Sequence, residues 1–91
     1  MKLTAKEVTE KFMVEALKQL EVYGDKRWAT MEEADKDIAK AFDDYTNACY
    51  PYLYKAKWVD DIFENAANCF LKFFEEKRKL LQERIYRQAR G

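Results

Sequence analysis

From Lys55 to Arg87 the chain runs for about 33 residues without a proline or a glycine, and its apolar residues keep a helical beat throughout. Val59, Ile62, Phe63, Ala66, Cys69, Phe70, Phe73, Leu80, Leu81 and Ile85 recur at spacings that line a face of an α-helix. One interval, Glu75 to Lys79, carries no apolar residue, but it holds good helix formers and no capping residue. The segment therefore reads as one continuous helix about 50 Å long, at a rise of about 1.5 Å per residue. The rest of the chain must be arranged around it.

Two shorter helices are predicted ahead of it. For the first, about Ala5 to Val22, Thr4 and Glu7 fit a capping box, and Val8, Phe12, Met13, Ala16, Leu17 and Leu20 form the apolar stripe. Gly24 is expected to close this helix in the left-handed conformation. Thr30 and Glu33 repeat the capping pattern for the second, roughly Met31 to Cys49, whose buried face is Met31, Ala34, Ile38, Ala41, Phe42, Tyr45, Ala48 and Cys49. Pro51 lacks an N–H and biases Tyr50 away from helical geometry, so the sharpest corner is expected at Tyr50-Pro51.

The expected fold is all-α: a small antiparallel bundle of two shorter helices packed on one long C-terminal helix, in a single domain over residues 1–91. A break near Glu75 would give four helices instead. Each short helix spans about 27 Å, roughly half the long one. If both lie side by side against its first half, Leu80 to Ile85 project without an intramolecular partner. Phe70, Phe73 and Phe74 together cover more than one helix face, as in a helix that is central in its bundle or engaged on two sides.

Composition narrows the chemistry. Seventeen Lys and Arg balance seventeen Asp and Glu, which argues against a nucleic-acid binder or its acidic mimic. With no histidine, the commonest transition-metal ligand and the usual neutral-pH base are missing, so zinc hydrolases and histidine-dependent hydrolases are excluded. Only Gly24 and Gly91 are glycines, so no Gly-rich phosphate loop exists. No cofactor or metal is expected. The first seven residues do not lead into an apolar h-region and no stretch approaches a membrane span, so neither a secretory signal nor stable membrane insertion is expected. Cys49 and Cys69 read as two packed thiols in a reducing, cytoplasmic setting.

Two regions read either as packing, an aromatic plug at the end of the bundle and charges complementing the helix dipoles, or as recognition surfaces. Tyr45, Tyr50, Tyr52, Tyr54 and Trp58 crowd the corner around Pro51, and tyrosine and tryptophan suit interfaces because each joins a large apolar body to a polar handle. Charge is also graded along the chain. Glu32 to Asp44 holds six acids against Lys36 and Lys40, whereas Lys72 to Gly91 holds seven bases against three acids. In the terminal turns Arg84, Arg87 and Arg90 accompany Leu81 and Ile85, a set suited to an acidic protein surface or to the Glu32–Asp44 region of a second copy. The candidate protein-binding residues are accordingly Tyr50, Tyr52, Tyr54, Trp58, Leu81, Arg84, Ile85, Arg87 and Arg90.

The function these features favour is a non-catalytic helical interaction module, such as a small regulator, inhibitor or accessory subunit, binding a protein partner or forming a homodimer. A purely structural homodimer is one alternative. An enzyme is the other. Glu7 and Glu10, followed on the next helix by Glu32 and Asp35, place two acid pairs on two helices, and such pairs hold Mg²⁺ through hard oxygen ligands. In these four residues the chain resembles the all-α nucleotide pyrophosphohydrolases, and the resemblance implies Mg²⁺-dependent hydrolysis of a nucleotide diphosphate linkage.

Overall fold

The computed structural model describes residues 4–90, with the side chain of Arg90 left out of the description. Its elements are α1 (Ala5–Tyr23), α2 (Met31–Cys49), a short 3₁₀ turn (Tyr50–Tyr52) and α3 (Lys57–Arg90). The described residues contain no strand. Helix α3 is unbroken over 34 residues, so the four-helix alternative falls away: Glu75 to Lys79 is helical like its flanks.

Both expected caps form. The Thr4 hydroxyl accepts from the Glu7 N–H at 3.2 Å and the Thr30 hydroxyl from the Glu33 N–H at 3.1 Å. The return bond of the second box goes one residue further back, with Glu33 Oε2 accepting from the Ala29 N–H at 2.8 Å. Each cap satisfies N–H groups that have no partner inside the helix.

Side-chain contacts fix the direction of each helix. Near the start of α1 the Phe12 ring lies 6.1 Å from Phe63, and at its end the carbonyls of Tyr23 and Gly24 accept from Lys77 Nζ at 3.1 and 3.0 Å. Helix α1 thus runs alongside α3 in the same direction. Helix α2 runs the opposite way, since Asp35 near its start meets Arg78 and Tyr45 near its end stacks on Phe63. The result is an up-down-up bundle, 59 Å along its long axis and 17–18 Å across. Its radius of gyration of 15.7 Å exceeds the roughly 12 Å of a compact domain of this length.

Aromatic rings form the core. Phe12, Tyr45, Phe70 and Phe74 are wholly buried. Tyr45 stacks on Phe63 at 4.9 Å and meets Phe70 edge-on at 5.1 Å, while its hydroxyl donates to the Phe63 carbonyl at 2.8 Å. A buried phenol needs such an acceptor, and burial pushes its pKa well above the ordinary value.

Trp28, in the link between α1 and α2, is a core residue that the helical stripes do not flag. Its ring packs 6.2 Å from Phe74, its Nε1–H donates to Asp37 at 2.9 Å, and its carbonyl accepts from Arg84 at 3.0 Å. Lys77 Nζ lies 4.4 Å above the indole. Leu81, expected to project without a partner, is buried in the recess that Trp28, Lys77, Leu80 and Arg84 share, and Ile85 is half-buried beyond it.

Three further expectations are corrected. Gly24 is right-handed (φ −62°) and continues the helical pattern, with its N–H donating to the Leu20 carbonyl. The chain does not turn at Tyr50-Pro51; Pro51 sits in the 3₁₀ turn, where a missing N–H costs nothing. The reversal comes at Leu53–Ala56, through extended Leu53 and left-handed Tyr54 (φ 66°), whose N–H is held by Asp60 Oδ1 at 3.1 Å. Lastly, Leu17, Cys69, Phe73 and Leu80 belong to the sequence stripes yet are exposed.

Trp28 locks the link onto α3 through both its ring and its polar bonds. Trp28→Ala is expected to cost about 3–5 kcal/mol in urea unfolding, as for other buried aromatic truncations. Trp28→Phe keeps the ring but loses the bond to Asp37, and is expected to cost only about 1–2 kcal/mol.

Candidate functional site

The apolar residues of α3 form two adjoining rows rather than one stripe. Val59, Ala66, Phe70, Phe74 and Leu81, with half-buried Phe63 between them, make the row that α1 and α2 cover. Trp58, Ile62, Cys69, Phe73 and Leu80 make the second, rotated by about a quarter turn at 100° per residue. Here Cys69, Phe73 (48% exposed), Leu80 (64%) and Trp58 (43%) face solvent, and Ile62 is half-buried.

Helix α1 borders this second row. Lys77, which bonds to the end of α1, lies on the same side of the core row as Phe73 and Leu80, while Arg78, which bonds to α2, lies on the other. The register set by Phe12–Phe63 and Tyr23–Lys77 puts Leu17 level with about residues 68–71 of α3. Leu17 is 51% exposed, and Met13 and Leu20 beside it are half-buried. Met13, Leu17 and Leu20 on α1 therefore widen the apolar face that Cys69, Phe73 and Leu80 begin on α3.

The aromatic corner divides. Tyr45 is core, and Tyr52 is half-buried with its ring edge-on to Phe12 at 6.0 Å. Tyr50 and Tyr54 are exposed and pack edge-on to each other at 6.2 Å, and Trp58 continues directly into the second row of α3. At the basic end, buried Leu81 is not available to a partner and Arg84 is engaged by the Trp28 carbonyl. Ile85 is half-buried and Arg87 exposed, and the Arg90 side chain lies outside the described residues.

Much of the acidic segment is used within the chain. Asp35 accepts from Arg78 Nε at 2.6 Å, and the bond to the guanidinium holds this carboxyl below its ordinary pKa. Asp37 takes the Trp28 indole, with Lys26 at 3.7 Å, and Glu33 caps α2. Of the two acid pairs, Glu7, Glu10 and Glu32 are exposed and Asp35 is committed to Arg78. Among the described residues no three His, Cys, Asp or Glu side chains are grouped to hold a metal ion. No helix among them is long and apolar enough to cross a membrane.

Sequence reasoning missed one buried charge. Glu15 faces the interior, where burial raises its pKa, but Lys18 at 3.0 Å and Lys11 at 3.4 Å outweigh that and leave it lowered. Its one-turn spacing from both lysines is the signal that could have found it.

No protein-family model matches the chain, and neither does any curated protein or solved structure.

The cysteines report the core and the exposed row separately. Cys49 is buried and burial pushes its thiol up to about 11, so roughly one molecule in a thousand is thiolate at pH 8. Cys69 is exposed, with its thiol directed at the Asn65 carbonyl. In dilute solution at pH 8 an aromatic disulfide reagent is expected to titrate one thiol in the native protein and both in denaturant. Rapid labelling of both natively would contradict the packing of Cys49.

Proposed function

We propose that this chain is a non-catalytic helical interaction module, acting as a small regulator, inhibitor or accessory subunit through the apolar face shared by α1 and α3. The observation that carries this reading is the second row of α3, where Phe73 and Leu80 stand in solvent beside a fully formed core. Folding gains little from them there, whereas burying a large apolar side chain against a partner is worth about 1.5–3 kcal/mol.

The shape supports the same reading. The chain exposes 6785 Å², about 1,200 Å² more than surface scaling gives for a monomer of its mass. That surplus exceeds the roughly 800 Å² that each partner contributes to a standard interface. Aromatic anchors also suit the face, since hot spots are enriched in tryptophan and tyrosine. Trp58 lies at one end of the row, and Tyr50 and Tyr54 precede it in the corner.

Position-resolved photo-crosslinking tests the assignment. A benzophenone side chain replacing Phe73 is expected to give protein adducts, in cells expressing the chain, many times more efficiently than one replacing Asp43, which is exposed on α2. Equal yields at the two positions would remove the α1–α3 face as a docking surface.

A further inference from the structure

The geometry points to a second copy of this chain as the occupant of that face, paired antiparallel, α3 against α3, about a twofold axis at the level of Phe74. This rests on the face being a docking surface and names its partner. The argument is charge complementarity along α3. The second row is flanked on its solvent side by exposed Asp61, Asn65, Lys72, Glu76, Glu83 and Arg87.

In an antiparallel pair, the same flank of each helix meets, and residues equally far above and below the axis face each other. With the axis at Phe74, Lys72 of one copy faces Glu76 of the other. Asn65 faces Glu83, and Asp61 faces Arg87. Each pairing occurs twice, none sets like charges together, and one register satisfies all three. Down the centre the two Phe73 rings meet near the axis, and Leu80 falls within one residue's rise of Cys69 of the other copy. A parallel twofold pair would instead set this flank against the α1-side flank of the other copy, so that these charges would not meet one another.

Length supports the same pairing. From Trp58 to Arg87 the row and its charged flank together extend about 44 Å, so an antiparallel partner covers them end to end, including the part of α3 that α1 and α2 do not reach.

Sedimentation and disulfide trapping of the full chain test this together. At about 100 µM the protein is expected to sediment as a dimer that dissociates on dilution. Phe73→Asp is expected to weaken the dimer at least about tenfold while leaving helix content unchanged, because the ring is half-exposed in the monomer. Lys72→Glu alone is expected to weaken it, and Lys72→Glu with Glu76→Lys to restore it.

Trapping reads the register. The two Cys69 residues are separated by about 15 Å along the axis, beyond disulfide reach, so the wild-type chain is expected not to cross-link on oxidation. Phe73→Cys in a Cys69→Ser background is expected to cross-link readily. Ready Cys69–Cys69 bridging would overturn the antiparallel register. A strictly monomeric chain would overturn self-pairing. If Phe73 then still gives photo-adducts with other proteins, the docking face stands with a foreign occupant; if it gives none, both readings fail.

Discussion

The register of this bundle is set by one residue outside its helices. Trp28 occupies the link between α1 and α2, and four contacts fasten it: the Phe74 ring, the Asp37 carboxylate, the Lys77 ammonium over its face and the Arg84 guanidinium on its carbonyl. Three of these partners lie on α3, spread over three turns. A short hairpin of two helices could otherwise slide along a partner nearly twice its length at little cost, since apolar burial is non-directional. Lys77 adds a second restraint, because its ammonium satisfies two carbonyls at the end of α1, where the helix dipole favours a cation. Burial lowers the Lys77 pKa, because its ammonium is held partly out of water.

Once the link is fastened there, the rest follows from lengths. Helices α1 and α2 have 19 residues each and α3 has 34, so the hairpin covers α3 only as far as the Leu81 turn. Two helices can also cover only part of the circumference of a third. The row containing Phe70 and Phe74 receives both, and the row containing Phe73 and Leu80 receives α1 along one edge alone. The apolar surplus therefore arises from geometry: a helix with two apolar rows has been given covering for one.

The capping residues and the period of three and four make the helix count, the boundaries of α2 and the continuity of α3 legible in the sequence. They act within a few residues of the backbone they organise, so local pattern is enough. The buried face of α2 is legible for the same reason, because its polar and apolar sides are cleanly divided. On α3 the reading fails at Phe73 and Phe74, where adjacent aromatic residues leave the stripe ambiguous and only the position of α1 decides which ring is core. Trp28 is illegible because its burial depends on contacts with residues some fifty positions away. The corner lies beyond Tyr50-Pro51 for a local reason: Pro51 is compatible with the first turn of a 3₁₀ segment, and the reversal is made by Tyr54 with help from Asp60.

The charge gradient is the point at which fold and recognition separate. Read as a sequence, the acidic Glu32–Asp44 segment and the basic terminal segment look like complementary surfaces waiting for one another on different molecules. In the structure they meet within one chain at Asp35 and Arg78, while Asp37 and Glu33 serve the Trp28 link and the α2 cap. Charges committed in this way hold elements in register and add little to encounter with a partner. What remains for the proposed recognition is the flank beside Phe73 and Leu80, where acids and bases are interspersed along a single helix. Exposed pairs there are individually worth about 0–1 kcal/mol, so they cannot supply the affinity. In the proposed pair their order along the helix would nonetheless select direction and register, while the apolar row beneath would supply the binding energy.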